Sequence, residues 1–103
     1  MTDPAILRDV ATYYSDKLRH FGNTPAGVDW RDAASQGLRF DQLSRVVTDR
    51  GASMTDFGCG YGALLDHMRQ HGLHGFYRGI DIAPAMVQAA STAHADDPRA
   101  PIE

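Results

Sequence analysis

The residues with the clearest chemical meaning lie between positions 56 and 62: Asp56-Phe57-Gly58-Cys59-Gly60-Tyr61-Gly62. Alternating glycines let a backbone turn sharply and let a ligand lie close against it. If a helix begins after them, its free amides point at the same place. A second carboxylate, Asp81, follows 19 residues after Gly62. At the end of the next strand such an acid can accept both hydroxyls of a ribose. The combination points to a nucleoside-containing cofactor.

Asp56 discriminates between two such cofactors. Gly58, Gly60 and Ala63 also satisfy G-x-G-x-x-A, the dinucleotide fingerprint. A dinucleotide would set a doubly negative pyrophosphate beside the Asp56 carboxylate, at a cost on the order of a kcal/mol or more in a partly dry site. S-adenosylmethionine presents an ammonium and a sulfonium there, and Asp56 would attract both. Charge complementarity therefore favours S-adenosylmethionine over NAD.

Two other constellations invite chemistry and are set aside. Cys59 stands near a helix start, where a thiol pKa can fall, but no partner for a nucleophile is evident and a small residue suffices there. His67, His71 and His74 have i, i+4, i+7 spacing. A helix ending at Gly72 leaves His74 beyond its end, and no acidic third ligand is evident, so no metal is expected.

The elements that must position these residues follow from periodicity. Asp3-Pro4 reads as a helix start, and Ile6, Val10, Tyr13, Tyr14, Leu18 and Phe21 form a helical stripe that Gly22 closes. After a loop over Thr24 to Trp30, a second helix is predicted from about Asp32 or Ser35 to Val47, on Leu38, Leu43, Val46 and Val47. After Gly51 the period changes. Ser53 to Phe57 suits a strand, Ala63 to His71 a helix with Leu64, Leu65 and Met68 inward, Phe76 to Ile82 a strand, and Pro84 opens a helix through Met86, Val87, Ala90 and Ala93. Strand, glycine turn, helix, strand, helix is a βαβ unit with one more helix, implying parallel strands. The tail from Asp96 reads as a solvated connector, with Ile102 where a third strand would begin.

Composition bounds the rest. In 103 residues, 10 Lys plus Arg against 13 Asp plus Glu leave a formal charge of −3. Nothing there neutralises a phosphate backbone, and nucleic acid is not an expected partner. Apolar runs are far shorter than the roughly 20 residues of a membrane span. The acidic start lacks the order of a signal peptide, and a single cysteine fits a reducing cytoplasm.

Residues 54 to 90 resemble the start of a class I S-adenosylmethionine-dependent methyltransferase, the seven-stranded Rossmann-like family. Its first motif, an acid and then G-C-G-x-G, matches Asp56, Gly58, Cys59, Gly60 and Gly62; its second matches Gly79-Ile80-Asp81-Ile82 and Met86. The resemblance implies that Asp56 and the glycine turn hold the methionine moiety, that Asp81 holds the ribose, and that Ile82 and Met86 flank the adenine. Within a helical cap, Trp30, Gln36 and Arg39 would reach the cofactor, with Arg39 pairing with its carboxylate. Ser53 and Thr55 depart from the family's apolar first strand.

The expected fold is α/β, Rossmann-like and incomplete: a helical cap over residues 1–50, then a βαβα unit over 51–103 that stops before the third strand. The expected ligands are S-adenosylmethionine or S-adenosylhomocysteine, and no residue is nameable as a catalytic base. The other readings are a non-catalytic remnant that folds or oligomerises without turnover, and an NAD-dependent oxidoreductase fragment, which Asp56 disfavours. Exposed sheet edges would drive homo-oligomerisation.

Overall fold

The computed structural model describes residues 4–28, 32–47 and 49–103, so the readings that fell on Asp3 and Trp30 lie outside the described residues. Helix α1 (Pro4–Phe21) stops at Gly22, whose amide returns to the Leu18 carbonyl at 2.7 Å. A 3₁₀ turn, Pro25–Val28, follows. Helix α2 (Ala33–Ser44) starts on Asp32, whose Oδ1 accepts the Ser35 amide at 2.7 Å and satisfies one of the free donors of the first turn. It ends at Ser44, short of the expected Val47. Val46 and Val47 instead donate to the carbonyls of Leu43 and Ser44 in turns, in keeping with the weak helix propensity of β-branched residues.

Strand β1 (Met54–Phe57), helix α3 (Ala63–Gln70), strand β2 (Tyr77–Ile80) and helix α4 (Pro84–Ala93) complete the order. The α3 helix closes in a Schellman motif. Gly72, at φ +79°, donates to Arg69, and Leu73 donates to Met68, so two otherwise orphaned carbonyls are satisfied. Pro84 occupies the first turn of α4, where its missing N–H costs nothing.

Strands β1 and β2 pair in parallel, with Met54 opposite Tyr77 and Asp56 opposite Gly79. The tail is more ordered than a solvated connector. Tyr77, Gly79 and Asp81 donate to the carbonyls of Arg99, Pro101 and Glu103 at 2.7, 3.0 and 3.1 Å, and the Glu103 amide returns to Gly79 at 2.8 Å. Residues 99–103 thus run parallel along the far side of β2, with a bridge between Gly79 and Ile102. The hydrogen bonds of a third strand thus begin around the expected position, Ile102, because the outward amides of β2 need acceptors.

Asp97 also departs from expectation. Its Oδ2 accepts from Arg69 Nε at 2.8 Å, and its Oδ1 accepts the Arg99 amide at 3.0 Å, so it ties α3 to the turn that launches this strand. Arg69 holds the Asp97 carboxyl below the usual carboxylate range, the hydrogen bond being the main cause.

The core is built from Cys59, Leu65, Tyr77 and Ala100, with Met54 and Ile102 packed against it. Leu64, Met68, Met86 and Ala90 are buried as their spacing predicts. The stripes of the first two helices are not. Ile6, Val10, Tyr13, Phe21, Leu38, Leu43 and Val46 all remain exposed, while the buried residues of α1 and α2 are Ser15 and Gln36. Helix α1 packs on α4 and the 3₁₀ turn, and α2 on α3, but two short strands offer too little surface to cover both stripes. The architecture is α/β, with a helical N-terminus and an incomplete, parallel Rossmann-like sheet. No helix among the described residues is long and apolar enough to cross a membrane.

Candidate functional site

The glycine turn is held from below by the end of β2. The Gly58 and Cys59 amides both donate to the Ile80 carbonyl, at 2.7 and 3.1 Å. Asp81 then braces the turn from the side: its Oδ2 accepts the Gly60 amide at 2.8 Å and its Oδ1 accepts the Ala83 amide at 2.9 Å. A carboxylate has about four acceptor positions, so both oxygens keep a lone pair for a further donor. Gly62 has φ +91° and caps α3; a Cβ there would lie 2.9 Å from the His94 ring. At Gly58, φ is +78° and a Cβ would meet nothing within 4 Å, leaving open space against the backbone.

That space belongs to a cleft of about 480 Å³ in which Gly58, Gly60, Asp81, Ile82 and Met86 form the floor and Leu7, Val10 and Tyr14 of α1 the roof. Its volume falls in the roughly 300–1,000 Å³ range of small-molecule sites. A smaller cleft of about 210 Å³ opens on the other side of the turn, where Asp56, Cys59 and Tyr61 face Gln36 and Val28. Gly58 and Gly60 border both. The site is therefore two chambers astride one loop, with Asp81 at the larger and Asp56 at the smaller.

Asp56 is not bare. Tyr77 donates its phenol hydrogen to Asp56 Oδ2 at 2.6 Å. Burial raises the Asp56 carboxyl above its usual range; the Tyr77 hydrogen bond opposes this, and the nearby Asp81 charge adds to it. Burial, followed by the Asp56 charge, likewise pushes the Tyr77 phenol far up, so it stays a donor. Burial, then the charges of Asp81 and Asp56, pushes the Cys59 thiol up to about 12. A thiol so protonated is no nucleophile at neutral pH, and Cys59 serves as core.

Eight of the nine proposed cofactor residues gather at this loop: Asp56, Gly58, Cys59, Gly60, Asp81, Ile82 and Met86 line the two clefts, and Gly62 lines a neighbouring one beside Tyr61 and His94. Arg39 does not join them. It lies exposed on α2 and borders none of the described clefts. Gln36 does reach the smaller cleft, with its Nε2 3.4 Å from the Tyr61 hydroxyl. Sequence reading missed Tyr77 as the partner of Asp56. The signal was the parallel register, which sets Met54 beside Tyr77 and so brings the phenol within reach two residues along.

Comparison with known proteins converges on the same segment. Residues 55–102 match the family described as a methyltransferase domain. A Mycobacterium tuberculosis protein named "Putative methyltransferase Rv1506c" is 54% identical over 39 residues, which cover 38% of this chain and 24% of that protein. The matched stretch thus spans about a quarter of that relative's length.

Proposed function

We propose that residues 55–102, which match a methyltransferase-domain family, are the opening part of a class I methyltransferase domain and that this chain binds S-adenosylmethionine or S-adenosylhomocysteine astride its glycine turn. The observation that carries the reading is the position of Asp81. Its carboxylate is locked by two amides on the floor of the larger cleft, with acceptor capacity left on both oxygens.

The donor set fits such a cofactor in two parts. On one side, Asp81 would accept the ribose hydroxyls while Ile82 and Met86 offer apolar walls to a base. On the other, Asp56 would face the cationic methionine portion, and a positive group beside it would draw its carboxyl into the ionised form. When bound, the cofactor supplies an electrophilic methyl group on sulfonium. The chain's own contribution is to bind, orient and exclude water, with α1 roofing the larger cleft. We assign no acceptor and no catalytic base.

Calorimetric titration with S-adenosylhomocysteine, with NADH as the comparison, tests this. Saturable binding of the former alone is expected, with at least a tenfold loss, about 1.4 kcal/mol, in Asp81→Ala. Because Asp81 also braces the turn, Ile82→Asp serves as a second variant that leaves both of its hydrogen bonds in place. Preference for NADH would return the site to the dinucleotide reading. Binding of neither ligand would leave a non-catalytic remnant whose motif outlasts its pocket.

A further inference from the structure

We propose that Asp41 of α2 together with His67 and His71 of α3 forms a binding site for a zinc-like divalent transition-metal ion, clamping the helical N-terminal segment to the βαβα unit. One ligand atom from each of the three residues lies within 4.8 Å of the other two. The acid that sequence spacing could not supply thus comes from a different helix, and His74 plays no part.

Three features make this more than a chance cluster. First, His67 Nε2 lies 3.0 Å from Asp41 Oδ1. Yet it is buried and makes no hydrogen bond of acceptable geometry. Two ligands on one zinc ion, each at about 2.0–2.1 Å with tetrahedral angles, stand roughly 3.3 Å apart. The pair is therefore placed much as a chelating pair would be. Second, His71 Nδ1 lies 2.7 Å from the His67 carbonyl. This contact engages Nδ1, which leaves Nε2 as the nitrogen open to a metal. A backbone carbonyl holding the far nitrogen is the usual support of a metal-bound imidazole. Third, the two imidazoles are stacked, with centroids 4.2 Å apart and planes at 26°, and Phe40 packs 5.6 Å from the His67 ring. The His67 ring thus sits between an aromatic neighbour, Phe40, and the second imidazole.

Two imidazoles and one carboxylate suit zinc, cobalt or nickel far better than magnesium or calcium, which take oxygen ligands. Asp41 and His71 are exposed, so water completes the coordination. The clamp lies on the α2–α3 contact and is independent of whether the cleft binds a cofactor.

The test uses the tag-free chain of 103 residues titrated with zinc chloride in a non-chelating buffer, and with cobalt chloride followed by visible absorption. The expected result is one site per chain and a zinc-dependent rise in melting temperature. His71→Ala and Asp41→Asn should each weaken binding by about tenfold or more, while His74→Ala should not. Both weakening variants change exposed side chains; if His71→Ala fails to fold by circular dichroism, Asp41→Asn decides alone. Absence of zinc binding overturns the proposal. So does equal binding in wild type and Asp41→Asn, or a cobalt–thiolate band, which would assign the metal to Cys59.

Discussion

At the scale of single residues, Asp56 works against the stability of the ligand-free chain. Its folded-state carboxyl is raised, chiefly by burial, so the folded protein binds this proton more tightly than the unfolded chain does. Stability from this group is therefore full below the unfolded carboxyl pKa of about 3.9 and declines as pH rises through the raised folded value. Asp56→Asn should accordingly raise the melting temperature at pH 7, with the gain shrinking towards pH 4. The same variant should weaken S-adenosylhomocysteine, a gain in stability set against a loss in binding. Thermal melts across pH beside calorimetry check both, and an unchanged or lower melting temperature at pH 7 would show that the charge is not the burden argued here. Cys59 gives a simpler expectation. With its thiol buried and pushed up to about 12, iodoacetamide at pH 8 should label it only after denaturation.

At the scale of elements, the sheet depends on contacts between segments distant in sequence. Gly75 lies where the approach to β2 touches the approach to β1, and a Cβ there would stand 1.9 Å from the Ala52 carbonyl oxygen. Backbone cannot yield as a flexible side chain can, so Gly75→Ala should cost on the order of 3 kcal/mol or more, read as a lower denaturant midpoint. Asp97 joins α3 to the third-strand segment through Arg69, both side chains being largely buried. Its loss strips a partner from a shielded guanidinium, and Asp97→Ala should destabilise by about 1–3 kcal/mol. Because its folded carboxyl is lowered, that contribution is present above the unfolded value and fades as pH falls through the folded one. The deficit of Asp97→Ala should therefore narrow in acid.

For the whole molecule, the governing fact is apolar surface left uncovered. Val46 is 80% and Leu38 61% exposed, and the ordered sheet leaves the outer edge of β1 without a strand among the described residues. An unpaired edge beside exposed apolar side chains is a template for association. The far edge of β2 is already taken by residues 99–103, so any strand pairing between chains should use β1. We expect light scattering to show mass rising with concentration, and Leu38→Lys with Val46→Lys to reduce it. A clean monomer at high concentration would remove the expectation.

Local rules determined much of this protein from sequence alone. The starts of α2, α3 and α4, the Gly22 and Gly72 stops, the strand positions and the glycine turn follow from short-range sterics and hydrogen bonding, which act within a few residues. The acids Asp56 and Asp81 were legible for the same reason, being set by spacing from that turn. Tertiary structure alone decided which side chains those acids meet. Tyr77 reaches Asp56 through strand register, Asp41 reaches His67 through helix packing, and Arg69 reaches Asp97 across 28 positions. It also decided that the α1 and α2 stripes stay partly open, one roofing a cleft. Periodicity tells which face of a helix is apolar; only the neighbours available in space determine whether that face is buried.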